Sequence, residues 1–426
     1  MKLKLLYFFI LFSTLISCTK TYDPLSGKKV YTLISTKQEI EIGQMYVPMA
    51  INSNEGQYPD LEVRKYIQKI GHKIAKVTPR KLPYKFFIVN SGEVNAFALP
   101  GGNIFVNRGL ILVLNNESEL AGVLGHELGH VNARHNVKFL EKQYGISLIL
   151  SILSVFVSGK DYGDLVINLG KIGANLLMLK YSRKQESQAD ELGVRFAYEA
   201  GYDPRGLLET FQIFKKLGKP NAPEWLLTHP LPEHRYKHVL EIIKKYDLNK
   251  PLIKDTKEFH KIKNKILKTK KSYDLLKKAE KEVKNENLYK ALRFVNQSLE
   301  IYPQNNAALT IRGIIYADLE EYRKSLKDVE KAMKIDDLYF LPKLISGFDL
   351  LKLKRYRQSI NILEKAKKLI PSFPDTYYYL GLAYENIGNY KKAVQNYRTA
   401  LKLSNGKRGW EKDAKRRIEI LTGIPF

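Results

Sequence analysis

The chain has 426 residues, 44% of them hydrophobic, enough to build two or three domains with real cores. Lys and Arg outnumber Asp and Glu by 71 to 44, a formal net charge of +27. The lysines are spread along solvated helix faces with no nucleic-acid motif beside them, so no nucleic-acid partner is expected. A single cysteine, Cys18, excludes a disulfide framework.

The first 17 residues read as a lipoprotein signal peptide. Lys2 and Lys4 precede an apolar run from Leu5 to Phe12, then small residues, and the segment closes on "LISC". That ending resembles a bacterial lipobox, which makes Cys18 the expected lipidation site and residues 18–35 a lipidated tether. Thr19 stands where an aspartate would favour inner-membrane retention. The expected address is therefore the outer membrane, facing the periplasm. The later apolar stretch 145–159 is shorter than the roughly 20 residues of a membrane helix and reads as a buried helix or flap.

Residues 36–78 predict two helices from apolar spacing. Residues 84–90, 93–100 and 102–112 predict short strands with turns at Ser91–Gly92 and Pro100–Gly102. Asn115 or Asn116 is placed to cap the next helix, which carries "GHELGH". A further helix spans "SRKQESQADELGVRFAYEAG", stopped by Gly201, and two more are expected near 204–217 and 232–246. Residues 36–246 form one α+β domain on this reading. Residues 247–271 are lysine-rich and read as a basic linker or bridging helix.

Beyond them the sequence repeats. Gly313, Gly347 and Gly381 are 34 residues apart, as are Tyr322, Tyr356 and Tyr390, and Ala332, Ala366 and Ala400. Small residues let paired helices pack closely, and the aromatic is expected to wedge between them. The period and residue types resemble tetratricopeptide repeats. Four units over 272–407, with a capping helix and tail at 408–426, make an all-α solenoid suited to binding peptide or protein.

In "GHELGH" the histidines are four apart and share one face of a helix, so His126 and His130 can converge on one metal ion. Glu127, one residue round, is free to act as general base on a water. Gly125 and Gly129 permit close packing. His135, five residues past His130, is expected to point away from the pair, as a polar contact at the helix end. Glu186 stands out among the downstream carboxylates as a third ligand, with Asp190 four residues later on the same face to hold a ligand imidazole by its other nitrogen. Two solvated acids are the bland alternative.

The order HELGH, apolar insertion, ExxxD, then "THP" resembles the family 48 zinc metallopeptidases, HtpX-like enzymes among them, and so does "NAFALPGGNIFVNRGLI" upstream. The match covers about 36–246. Joined to an envelope signal and repeats, it is most similar to members that serve outer-membrane protein assembly, although a lipid anchor is not usual there. The resemblance implies a mostly helical gluzincin domain with a small sheet, one zinc ion on His126, His130 and Glu186, and Glu127 as the catalytic base. It places the loop carrying His229 near the site, as a regulatory latch or a transition-state contact. Arg235 is expected to pair with a site carboxylate, steady an oxyanion or make a surface salt bridge. Residues Asn95, Ala96 and Phe97 are expected to bind an extended substrate by strand addition, which reads backbone and favours unfolded envelope proteins. The expected function is a membrane-anchored zinc endopeptidase whose repeats dock substrate or an outer-membrane assembly machine. The alternative is a non-proteolytic chaperone or adaptor acting through the repeats.

Overall fold

In a computed structural model of the chain, residues 19–145, 163–217, 223–230, 233–404, 406 and 408–424 are described. Cys18 and most of the apolar stretch 145–159 lie outside them. Among the described residues no helix is long and apolar enough to cross a membrane.

The expected tether is not a loose strand of chain. β1 (Thr19–Tyr22) and β2 (Lys29–Thr32) pair antiparallel as a hairpin. Its base is fixed by Glu141, whose carboxylate accepts from Leu33 N at 2.8 Å and Ile34 N at 3.0 Å. Arg195 donates to Pro24 O at 3.2 Å from the other side. Backbone groups that a free tether would leave to water are here taken up by half-buried side chains.

The two expected helices are α1 (Thr36–Ser53), opened by a Ser35–Gln38 capping box, and α2 (Leu61–Ala75), capped by Asp60. They flank a three-stranded sheet of order β3-β5-β4. β3 (Lys85–Val89) runs parallel to β5 (Asn103–Asn107), and β4 (Ala96–Leu99) runs antiparallel to β5 at the edge. The strand expected to reach residue 112 stops at Asn107, and α3 (Arg108–Val113) follows. The run Leu110–Val113 is apolar throughout, so it has no period that separates strand from helix. The turn is made by Arg108, whose buried Nε donates to Asn90 O at 2.7 Å, and by Gly109 N, which donates to Ser91 O.

α4 (Glu117–Asn132) is capped by Asn116, which accepts from Glu119 N, and every one of its residues is buried. After α5 (Gly163–Leu177), α6 (Arg183–Glu199) crosses α4 in backbone contact. A Cβ on Gly125 would meet Gly193 O at 2.7 Å, and one on Gly129 would meet Ala189 O at 2.7 Å. Without those glycines α6 would be pushed off, and Glu186 and Asp190 with it. α7 (Gly206–Leu217), the short α8 (Trp225–Thr228) and α9 (Glu233–Ile243) complete this half.

Of the two readings of residues 247–271, a linker or a bridging helix, the structure has the helix for most of the segment. It is α10 (Lys257–Lys284), one helix that continues without a break into the repeats. Its lysines are on the solvated side; Phe259, Ile262 and Ile266 are buried in a core shared with α2, α4 and α6. A helix whose apolar stripe is this well used is structure, whatever its charge. The hairpins α10–α11 (Leu288–Ile301), α12 (Asn306–Asp318)–α13 (Tyr322–Ile335), α14 (Phe340–Lys352)–α15 (Tyr356–Leu369) and α16 (Pro374–Asn386)–α17 (Tyr390–Ser404) follow, then α18 (Glu411–Thr422). Gly313, Gly347 and Gly381 sit where a Cβ would enter Val329, Leu363 and Tyr397 of the paired helix. The tyrosines of the repeat differ in depth: Tyr322 and Tyr356 are half-buried, with Tyr322 against Phe348 at 6.0 Å between ring centroids. Each is the first residue of its second helix, and Tyr390 is 55% exposed.

The repeats are tied to the first half by buried polar contacts. Tyr273 OH donates to Asn90 Oδ1 at 2.6 Å, Asn90 Nδ2 to Asn306 Oδ1 at 2.8 Å, and Gln57 N and Nε2 each donate to Asp336 at 2.7 Å.

Candidate metal centre

α4 and α6 bring the expected residues together. His126 Nε2 and His130 Nε2 face each other at 3.0 Å. Glu186 Oε1 lies 3.4 Å from His130 Nε2, and its other oxygen 3.7 Å from His126 Nε2. His229, just past α8, adds a fourth donor: its Nδ1 is 3.0 Å from Glu186 Oε1 and 3.4 Å from His126 Nε2. One atom from each of these four buried residues lies within 4.8 Å of every other. Ligands on a tetrahedral ion with bonds of about 2.0–2.1 Å stand about 3.3 Å apart, so the set fits a transition metal with nitrogen and oxygen donors.

Glu127 lies beside this group without joining it. Its Oε1 is 3.4 Å from Trp225 Nε1 and 3.7 Å from His229 Nε2, and its Oε2 is buried without a partner. Burial pushes its carboxyl above the usual range, against the pull of His229 and His126. A carboxylate with a raised pKa and a free oxygen at a metal site has the character of a general base.

Asp190 Oδ1 is 2.9 Å from His126 Nδ1, the nitrogen turned away from the centre. Arg235 is fully buried rather than a surface ion pair. It reaches Asp190 through Nε at 2.8 Å and Nη2 at 2.6 Å, and Glu186 Oε2 through Nη1 at 2.6 Å. Burial would raise the Asp190 carboxyl, but Arg235 and His126 outweigh it and hold it at about 2. Glu186 is likewise lowered, with His229 and Arg235 overcoming its burial. Burial pushes His130 well down, which keeps its ring neutral, the form that ligates. His229 moves the other way: Glu186 and Glu127 outweigh burial and raise it.

His135 does not point away. α4 ends at Asn132, and Arg134 adopts a left-handed φ of 57°. That residue swings the chain back and puts His135 Nδ1 2.9 Å from His130 Nδ1. The helical wheel applies only while the helix lasts. Two aromatic residues also escaped the sequence reading. Tyr181 stacks on the His130 ring at 3.7 Å between centroids, and Trp225 stacks on His229 at 4.6 Å. Neither stands in a motif; their only signal is adjacency to "SRKQE" and "LLTHP".

β4 is the edge strand expected to take substrate. Asn107 N donates to Asn95 O, so by antiparallel alternation residues 95, 97 and 99 face β5, and the backbone of Ala96 and Ala98 faces outward. Ala98 O already accepts from Asn136 Nδ2 at 2.9 Å, which leaves Ala96 as the open rung. Phe97 packs on Phe105 at 4.8 Å, and Asn95 is buried with an unpaired Oδ1. Val94 O accepts from Trp225 N at 3.2 Å, tying this edge to the residue that also touches Glu127.

Comparison with known proteins finds two matching regions. Residues 62–243 match peptidase family M48, and residues 374–405 match the tetratricopeptide repeat. The chain is 30% identical over 238 residues to a putative beta-barrel assembly-enhancing protease of Vibrio cholerae serotype O1, covering 53% of this chain and 49% of that protein. It is 36% identical over 156 residues to the mitochondrial metalloendopeptidase OMA1 of Arabidopsis thaliana, covering 37% and 31%. With the metalloprotease YcaL of Escherichia coli (strain K12) it shares 29% identity over 181 residues, covering 41% and 70%. The chain thus spans about half the length of the beta-barrel assembly-enhancing protease it matches. Two histidines and a glutamate thus converge, with Glu127 beside them, inside the region that matches peptidase family M48, and the stretch that matches the tetratricopeptide repeat follows it.

Proposed function

We propose that the protein is a lipid-anchored zinc metalloendopeptidase of the bacterial envelope, cleaving unfolded or misassembled envelope proteins, with its repeats docking substrate or an assembly partner. The observation that carries the reading is the convergence of His126, His130 and Glu186 on one point with Glu127 beside it and not in it. The relatives named for β-barrel assembly support the envelope role, and the lipobox at Cys18 supports the anchor.

One zinc per chain would be held by His126, His130 and Glu186, and when bound would supply Lewis acidity toward the scissile carbonyl and the attacking water. Glu127 takes the proton from that water on its free Oε2 and returns it to the leaving amine. Asp190 fixes the tautomer of His126, and Arg235 spreads positive charge behind both carboxylates. Ala96 offers backbone groups to an extended substrate, a mode that is loose in sequence and selective for unfolded chain.

Casein digestion with a chelator and with zinc restored tests the metal dependence. Cleavage should stop on chelation and return with zinc. Cleavage that persists after zinc has been removed would reject the assignment, and metal binding with no cleavage of any unfolded substrate would favour the adaptor reading.

A further inference from the structure

The two histidines of the centre are held from behind in different ways. His126 Nδ1 meets a carboxylate, Asp190. His130 Nδ1 meets another histidine, His135, at 2.9 Å. The chain of contacts continues outward. His135 Nε2 is 3.0 Å from Gln188 Oε1, and Gln188 Nε2 is 2.7 Å from Asp23 Oδ2 at the turn of the amino-terminal hairpin. Asp23 is itself built in, because its Oδ1 accepts from Leu25 N, Ser26 N and Ser26 Oγ.

The direction of every bond in this chain is fixed from its outer end. A carboxylate only accepts, so Gln188 must present its amide nitrogen to Asp23 and its oxygen to His135. His135 must then carry its proton on Nε2 and a lone pair on Nδ1. His130 must donate from Nδ1, which leaves the lone pair of Nε2 aimed at the centre. Asp190 Oδ1, 2.9 Å from His126 Nδ1, favours the same tautomer in His126. Both Nε2 lone pairs then face each other 3.0 Å apart, an arrangement that a metal cation between them would satisfy.

We propose that Asp23, Gln188 and His135 are positioning residues for the metal centre, and that docking of the amino-terminal hairpin is thermodynamically coupled to metal binding. The inference rests on the metal-centre reading above. The hairpin begins directly after Cys18. Whatever holds or pulls that end of the chain acts on the tautomer and orientation of His130. Coupling of this kind is reciprocal: if the docked hairpin tightens metal binding, metal must tighten hairpin docking by the same factor.

The test uses the full chain and zinc alone. Zinc affinity is measured by competition with a chelating dye, and amide exchange over residues 19–34 is followed with and without zinc. In the wild-type protein zinc should slow hairpin exchange about tenfold. Gln188→Leu, which keeps the size of a half-buried side chain and breaks both contacts, should weaken zinc on the order of 10-fold, the low end for groups behind a ligand. It should also abolish the dependence of hairpin exchange on zinc. Asp23→Asn, which retains an accepting oxygen, should fall between. A role confined to fold stability would lower the melting temperature of the metal-free Gln188→Leu protein without changing its zinc affinity. Zinc affinity within twofold of wild type, or wild-type hairpin exchange that ignores zinc, overturns the proposal and leaves the metal centre standing. A wild-type protein that binds no zinc overturns both.

Discussion

Asp190 Oδ1 lies 2.9 Å from His126 Nδ1, while Arg235 grips the same carboxylate group through two nitrogens. The pair makes a buried brace in which the arginine holds the acid and the acid holds the imidazole. A brace and a ligand fail differently. Asp190→Asn should weaken zinc binding on the order of 10–100-fold yet keep one zinc per chain at saturation. Glu186→Ala should not retain stoichiometric zinc at submicromolar free metal. Dye competition separates the two, and equal losses from both variants would make Asp190 a ligand.

His229 Nδ1 stands among the ligand atoms, 3.0 Å from Glu186 Oε1, with its ring stacked on Trp225. An imidazole in that place competes with the attacking water. His229→Ala should therefore raise basal cleavage of casein several-fold, and self-cleavage with it, while zinc stays bound. Reduced cleavage by this variant would make His229 a contact to the substrate instead.

Much of this centre was legible in the sequence because its geometry is local. The spacing of His126 and His130, and of Glu186 and Asp190, follows from the turn of a helix, and each pair shares a face. What was not legible depends on where helices end and what lies across from them. His135 escapes a helical wheel because the helix ends before Arg134, where the chain turns left-handed. The docking of the hairpin at Asp23 is not legible in the sequence, because its partners, Gln188 and Glu141, are more than a hundred residues away. In 247–271 the charge alone leaves linker and bridging helix open, and the apolar stripe of Phe259, Ile262 and Ile266 decides for the helix. In the repeats the glycine spacing is legible, since Gly313, Gly347 and Gly381 meet the paired helix, but the depth of the tyrosines is not: Tyr322 and Tyr356 are half-buried and Tyr390 is exposed.

Asp349 gives the repeats a pH dependence of their own. Its side chain is fully buried; Oδ2 accepts from Ser325 Oγ at 2.6 Å and Oδ1 has no partner. Burial pushes its carboxyl up to about 7, against the opposing Ser325 contact. The unfolded chain loses this proton near pH 4, whereas the folded chain keeps it until about 7. Stability contributed by the protonated acid is therefore complete below about pH 4, declines as pH rises, and levels off above 7, on the order of 4 kcal/mol at most. Asp349→Asn should raise the melting temperature relative to wild type by more at pH 8 than at pH 5. An equal difference at the two pH values would contradict the burial argument.

The central claim is that the protein cuts peptide bonds with a metal held by His126, His130 and Glu186 and a base supplied by Glu127. The most direct measurement is zinc content and casein cleavage on the same preparations of wild type and Glu127→Gln. One zinc per chain in both proteins is expected, with cleavage lowered in the variant by about 10²–10⁴-fold, the range for loss of a general base. Near-wild-type cleavage by Glu127→Gln with its zinc in place would contradict the account.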